Sequence, residues 1–137
     1  MSLNNIIINL TQYAATGEQL DAGVVDLRDV EAEALLALLT FDALPSAAEI
    51  AARAELLAGL AEMNGLGWPE GDDPFPIAAM IGGGAPYLMA PLEQALLTRG
   101  ITPVYAFYTS ETEEQLQPDG SVCQEAIFRH AGFVRIA

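Results

Sequence analysis

Residues 77–100 read IAAMIGGGAPYLMAPLEQALLTRG, and this stretch decides the fold. Its first five residues form an apolar run typical of a buried strand, and this run leads directly into three glycines. Helical spacing of apolar residues follows as far as Arg99, and Gly100 is placed to end the helix. Either Pro86 or Pro91 can occupy the first helical position. The stretch predicts a strand–glycine–helix unit, which is typical of α/β proteins.

Two further strands and a short helix are predicted before this unit. Residues Ile6 to Leu10 and Val24 to Leu27 are short runs rich in β-branched residues, which favours buried strands. Between them, Thr16 and Gln19 have the spacing of a capping box, so a short helix is expected to begin there and to end at Gly23.

Two longer helices are predicted between the second strand and residue 77. Asp29 is the expected N-cap of one, and Ser46 opens the other, which extends to about Met63. Residues 65–76, GLGWPEGDDPFP, hold glycines, prolines and Trp68, and they predict a loop.

The C-terminal part changes to strand-like periodicity. Pro118-Asp119-Gly120 is a turn signal between two strand-like segments, residues 102–116 and 121–136, with a bulge expected near Gly132. The order β-α-β-α-α-β-α-β-β predicts one α/β domain over residues 1–137. Its expected architecture is a Rossmann-like, mostly parallel sheet covered by helices, with a C-terminal antiparallel β-hairpin.

Composition indicates an intracellular protein that associates with itself. Hydrophobic residues make up 52% of the 137 residues, slightly more than usual, so we expect a homodimer. No apolar stretch approaches the roughly 20 residues needed to span a bilayer, so we expect no membrane association. The single cysteine, Cys123, fits a reducing cytoplasm.

The charge balance excludes several classes of function. The net charge is −14, and a surface of that sign repels extended DNA or RNA. All five basic residues are arginine, so the lysines of a P-loop, a Schiff base or a kinase site are absent. One histidine and one cysteine cannot make a standard zinc set. We therefore predict neither metal nor cofactor.

The candidate site lies where the predicted strands end. Ligands of open α/β sheets bind outside the carboxyl ends of the strands, and glycines followed by a helix start offer N–H groups to an anion. This predicts a small phosphorylated ligand, although a tight strand-to-helix turn is the alternative explanation of the glycines. The expected site residues at these strand ends are Thr11, Gln12, Gly82, Gly83, Gly84 and Ser110.

Arg129 and His130 form the adjacent pair of a cation and a titratable ring. Arginine can bind phosphate through two N–H groups, and histidine can transfer protons near neutral pH. We include both as candidate ligand-binding residues. A packed or surface role for His130 remains the alternative.

The stretch IAAMIGGGAPYLMAPLEQALLTRGITPVYAFYTSE, together with NIIINLTQ near the start, resembles the core of CRISPR-associated Rossmann-like (CARF) domains and of the small ring nucleases related to them. The resemblance covers about half of the chain, and it does not include the helices between Asp29 and Met63. It implies a homodimer that binds a cyclic oligoadenylate across the subunit interface. It also implies metal-independent cleavage, with the ribose 2′-hydroxyl held for in-line attack.

Two classes of function remain open from the sequence. The first is a protein that binds a nucleotide second messenger of this type and in some cases cleaves it. The alternative is a non-enzymatic protein-interaction module, which would bind a partner through its acidic face and the loop that carries Trp68.

Overall fold

The computed structural model describes residues 6–65 and 77–136, and these contain five strands and four helices in the predicted order. The predicted loop therefore lies outside the described residues except for Gly65, which ends a helix. The elements are β1 (Ile6–Asn9), α1 (Gly17–Asp21), β2 (Val24–Asp26), α2 (Asp29–Leu39), α3 (Ala47–Gly65), β3 (Ile77–Ile81), α4 (Pro86–Thr98), β4 (Thr102–Leu116) and β5 (Val122–Arg135).

The strands form one sheet in the order β2-β1-β3-β4-β5. Strands β1 to β4 pair in parallel, and β5 pairs antiparallel with β4, so the sheet is mostly parallel and curls into a half-barrel. From β1 the chain moves first to β2 on one side and later to β3 on the other. Because the connections diverge there, the carboxyl ends of β1 and β3 form a topological switch point.

The helices α2, α3 and α4 cover one face of this sheet. Their apolar side chains pack on Ile8, Ala79 and Ile81 in a single buried cluster. The opposite face holds a smaller cluster that includes Ile7 and Met80, and in the described chain none of these three helices contributes to it. The β1–β2 crossover does not supply a long helix for this face either, because its only helix is the five-residue α1.

Most local signals of the sequence act as predicted. Thr16 forms a complete capping box with Gln19, and the Ser46 hydroxyl accepts the Glu49 N–H at 3.1 Å. Helix α4 begins at Pro86, which settles the choice between the two prolines and leaves Pro91 inside the helix. The N–H groups of Gly100 and Ile101 donate to two carbonyls near the end of α4. Gly100 has a left-handed φ of 74°.

One helix start differs from the prediction by a residue. Arg28 occupies the N-cap position of α2, and Asp29 is its first residue, with a φ of 54°. Among residues 6–65 and 77–136, no side chain caps this helix start. The Asp29 carboxylate instead lies in the first turn, where the helix dipole favours an acid.

The β4–β5 hairpin continues well beyond the rest of the sheet. Strand β3 pairs with β4 only as far as Tyr105, after which β4 and β5 continue as a two-stranded ribbon. We call this ribbon, residues 106–116 with 122–133, the arm. At its base the register shifts opposite Gly132, whose φ is 146°, so the predicted bulge is confirmed.

Candidate functional site

Three of the predicted site residues line one pocket at the switch point. Thr11, Gly82 and Gly83 belong to the wall of a cavity of about 250 Å³, which we call the switch-point pocket. It lies at the carboxyl ends of β1 and β3, as expected for an open α/β sheet, and beside the middle of β4. The described residues that line it carry no charged side chain.

A buried asparagine shapes the loop that follows β1. The Asn9 amide nitrogen donates to Asp26 Oδ1 at 2.7 Å and to the Tyr13 carbonyl at 2.8 Å. Its amide oxygen accepts the backbone N–H of Thr11 at 2.9 Å and the Thr11 hydroxyl at 2.7 Å. The Asp26 carboxylate also accepts the Ala15 N–H, at 3.2 Å to one oxygen. Four well-oriented bonds therefore hold the loop that carries Thr11 and Tyr13 against the sheet.

The glycine corner adopts backbone angles that favour glycine. Gly82 has φ 126° and Gly83 has φ 72°, and a Cβ on Gly82 would lie 3.1 Å from the Tyr105 ring. The Gln12 side chain donates to the Gly83 carbonyl at 3.3 Å. Within residues 6–65 and 77–136, the N–H groups of Gly83 and Gly84 meet no hydrogen-bond acceptor. The corner is therefore a tight turn that also leaves these two N–H groups without an acceptor in the described chain.

Tyrosines that the sequence analysis did not select form much of the pocket wall. Tyr13, Tyr105 and Tyr108 all line it. Tyr13 is 66% exposed, so its ring is accessible from solvent. The Tyr105 hydroxyl donates to Glu93 at 2.5 Å, and partial burial together with this carboxylate raises the pKa of Tyr105 above its ordinary value. The Tyr105 hydroxyl therefore stays protonated, and the residue forms part of the pocket wall without acting as a proton acceptor.

Gln19 is the other pocket residue that the sequence reasoning missed. It is only 2% exposed, and its amide oxygen accepts the Thr16 N–H at 3.0 Å. Its amide nitrogen donates to the Tyr108 hydroxyl at 2.8 Å. The signal for this residue was present in the capping box, but a capping glutamine is ordinarily an exposed residue.

Three predicted site residues, Gln12, Gly84 and Ser110, do not line the switch-point pocket. Gln12 and Asp26 border a neighbouring depression of about 190 Å³. Gly84 does not line the switch-point pocket, and Ser110 lies exposed on the arm. The convergence of all three strand ends is thus seen for Thr11 and the glycines but not for Ser110, because β4 carries Ser110 outward along the arm.

Arg129 also lies on the arm, and its guanidinium is occupied by carboxylates. Its Nε donates to Glu111 at 2.8 Å and its Nη2 to Glu113 at 3.1 Å. These two carboxylates raise the pKa of Arg129. The residue therefore forms a cross-strand ion-pair cluster and does not line the pocket.

His130 is a packed aromatic at the base of the arm. Its ring lies 4.8 Å from the Phe133 ring and 6.0 Å from the Tyr108 ring, measured between centroids. Its Nδ1 is buried and meets no hydrogen-bond partner in the described part of the chain. His130 therefore reaches the switch-point pocket only through Tyr108, its cross-strand neighbour.

Nothing in the described ranges gathers three metal-ligating side chains, and none of the helices seen there is long and apolar enough to cross a membrane.

A comparison with curated proteins finds no match, and a comparison with solved structures finds none either. A family model, in contrast, matches residues 5–134, which is nearly the whole chain. The chain belongs to the family described as "Uncharacterized protein MJ1673 family".

Proposed function

We propose that this protein binds a phosphorylated nucleotide of the cyclic oligoadenylate type in the switch-point pocket, and that it does so as a homodimer. One observation carries the proposal. At a topological switch point, a glycine corner with available N–H groups and a set of tyrosine rings line the same cavity.

The glycine corner supports the phosphate part of the ligand. Gly83 lines the pocket, and Gly84 follows it in the chain without lining the pocket. The N–H groups of both lack acceptors in the described chain, and the corner leads into the first turn of α4. Helix starts favour anions because their free N–H groups and the helix dipole both present positive charge. No carboxylate belongs to the described pocket wall, so an anion meets less repulsion there than it would beside the acidic side chains of this protein of charge −14.

The tyrosines support the base and sugar part. An exposed ring such as that of Tyr13 can stack on a nucleobase, and such stacking contributes about 1–3 kcal/mol per base. The Thr11 hydroxyl, which donates its proton to Asn9, adds a polar oxygen to the same wall that could accept a hydrogen bond from a ribose. The pocket thus combines the two kinds of contact that a nucleotide needs.

The size of the pocket supports one nucleotide per copy. Its volume of about 250 Å³ lies just below the range of about 300–1,000 Å³ that holds drug-sized ligands. A ring of several nucleotides is larger than this. A cyclic ligand would therefore need two pockets, which supports the dimer in the proposal.

Cleavage, if the bound ring turns over, uses the ligand's own ribose hydroxyl as the nucleophile and water for the proton transfers. The ribose 2′-oxygen attacks the adjacent phosphorus, the bond from phosphorus to the 5′-oxygen breaks, and a 2′,3′-cyclic phosphate remains. The 2′-hydroxyl proton goes to water, and the departing 5′-oxygen takes a proton from water. The protein's part would be to hold the three atoms in line, which is worth several kcal/mol.

Calorimetry with cyclic oligoadenylates, adenosine monophosphate and inorganic phosphate tests the proposal. We expect a cyclic oligoadenylate to bind most tightly, and Tyr13→Ala to weaken it about 10- to 100-fold through the loss of stacking. Tyr87→Ala is the matched control, because Tyr87 lies on α4 and contacts Phe41 outside the pocket. Absence of heat with every nucleotide in a folded sample, or equal binding by both variants, would contradict the proposal.

A further inference from the structure

The outer edge of β5 is a long strand edge with no described strand beside it. Strand β5 has 14 residues and is the last strand of the sheet. It contains neither proline nor lysine, the residues that most often protect such edges. A two-stranded ribbon is at best marginally stable in water on its own, so the arm gains most from a further strand.

The hydrogen-bond pattern shows which groups face outward. The hairpin closes with the Gln117 N–H bonded to the Ser121 carbonyl at 2.7 Å. In an antiparallel ladder bonded pairs alternate with non-bonded ones, so every second residue of β5 directs its N–H and C=O away from β4. These outward-bonding residues are Val122, Gln124, Ala126, Phe128 and His130.

Glu125 carries a charge that the described chain leaves unbalanced. It lies directly opposite Glu113 on β4, and like charges in that position are destabilising. Arg129 approaches Glu111 and Glu113, whereas no ion pair to Glu125 is found among residues 6–65 and 77–136. Glu125 therefore lacks a cation that a neighbouring chain could supply.

We propose that two copies of this chain pair antiparallel along β5, with the two-fold axis at Ile127. In this register Glu125 of each copy faces Arg129 of the second copy, and Ala126 exchanges backbone hydrogen bonds with Phe128 of the second copy. The pairing satisfies the outward-facing groups of both strands and provides two symmetric charge pairs.

Other registers of the same pairing lack this complementarity. An axis at Glu125 or at Arg129 places like charges opposite each other, and an axis at Ala126 or Phe128 leaves both charges opposite uncharged residues. Only the Ile127 register among these five pairs acid with base. Charge therefore selects the register as well as the partner.

The charge distribution also favours a second copy on this surface. The protein as a whole carries −14, but β5 contains one acidic residue, Glu125, and two arginines, Arg129 and Arg135. Strand β5 therefore repels a second copy less than the acidic remainder does, and the carboxylates of Glu111 and Glu113 beside it are paired with Arg129. The exposed side chains of Val122 (57%) and Phe128 (71%) would lose contact with water along the joint.

This inference deepens the proposed function, since it rests on the dimer in that proposal and gives it a surface. In the Ile127 register, Val122 near the tip of one arm lies beside Gly132 at the base of the other. The tip of each arm is therefore carried to the base of the second arm, where Tyr108 forms part of the switch-point pocket.

Sedimentation of the ligand-free protein tests the pairing. We expect the wild-type chain to be a dimer at micromolar concentration, and Glu125→Arg to weaken the dimer at least about tenfold by placing like charges opposite each other. The double variant Glu125→Arg with Arg129→Glu should restore part of the dimer, because the charges across the joint are exchanged while Glu111 loses its arginine within the arm. Glu33→Arg makes the same charge change on an exposed position of α2 and should leave the dimer intact.

A backbone variant tests the edge itself. Ala126→Pro removes an N–H that faces away from β4, so the hairpin ladder is preserved while the pairing with the second copy is lost. A monomeric wild-type chain, or a dimer that tolerates both Glu125→Arg and Ala126→Pro, overturns the inference. Calorimetry on the monomeric variant keeps the two proposals apart, since nucleotide binding that persists there would leave the pocket standing.

Discussion

The Gln19 amide nitrogen donates to the Tyr108 hydroxyl at 2.8 Å, which joins the short helix α1 to the base of the arm. The two residues are far apart in the chain, and both line the switch-point pocket. Because Gln19 is only 2% exposed, this bond satisfies a polar group that has little contact with water. The contact thus fixes the spacing between two walls of the pocket.

Tyr108→Phe should lower the free energy of unfolding by about 1–3 kcal/mol, because the buried Gln19 amide would lose its acceptor. Urea unfolding measures this. Tyr87→Phe is the control, as Tyr87 is half-exposed and its hydroxyl makes no hydrogen bond within the described residues, so a change within about 0.5 kcal/mol is expected there. Equal losses in the two variants would show that the Gln19 contact contributes nothing.

Asn9→Asp should destabilise the protein by about 3 kcal/mol at neutral pH, because it places a buried carboxylate against Asp26 and removes the donor to the Tyr13 carbonyl. The loss should shrink on acidification, when the two carboxyls take up a proton. Chemical unfolding at neutral and acidic pH measures both effects. Asn64→Asp is the control, since Asn64 also donates to a carboxylate, that of Glu31, but is only partly buried. A loss that does not depend on pH would contradict this account.

Gly83→Ala should cost about 1–2 kcal/mol, because an L-residue is strained at φ 72° and the added Cβ would lie 3.4 Å from the Tyr13 ring. Gly84 provides the matched control. A Cβ there meets only ordinary contacts, at 3.7 Å from Met89 and 3.9 Å from Leu39. Thermal unfolding should therefore separate the two alanine variants, and a Gly84→Ala variant as unstable as Gly83→Ala would refute the backbone argument.

Tyr105 should ionise only above the ordinary pH range of a tyrosine, since partial burial and the Glu93 carboxylate raise its pKa above the ordinary value of 10.0. The folded state then holds this proton more tightly than the unfolded state does. The stability linked to Tyr105 is complete below the ordinary pKa and is lost as the pH rises above it, when the unfolded chain ionises first. Tyr105→Phe should remove this alkaline dependence of urea unfolding between about pH 9 and about pH 11.

A tyrosinate absorbance titration gives the second readout for Tyr105. The Tyr105→Phe variant should lack the most alkaline step and keep the others. If the missing step were instead an early one, the Glu93 hydrogen bond would not control the titration.

The sequence predicted those parts of the fold that depend on local chemistry. The capping box at Thr16, the N-cap bond of Ser46, the stop at Gly100 and the turn at Pro118-Asp119-Gly120 each involve residues close together in the chain. The choice between Pro86 and Pro91 could not be made, because both satisfy the same rule for a first helical position. The sequence also could not predict which face of the sheet the helices cover, because that depends on tertiary packing.

The candidate site was predicted only where strand ends coincide with the sheet edge. Thr11 and Gly82 follow strands that stop at that edge, so their meeting follows from the topology. Ser110 and Arg129 do not lie at that edge, because β4 continues past it. The sequence did not reveal this, since side chains alternate between the two faces of a strand in the same way inside a sheet and in a free ribbon. Tyr13 and Tyr108 were missed because an isolated tyrosine carries no signal of the cavity it will face.

The parallel sheet and the hairpin should form at very different times. Ile8 and Ala79 pair although about seventy residues separate them, so a long loop must close before that contact gains anything. Leu116 and Val122 are joined by five residues, and hairpins of this kind form within about 1–10 μs. During folding, the ribbon therefore forms and dissolves repeatedly before the core that anchors it is complete, while the apolar strands β1 and β3 are still exposed to water.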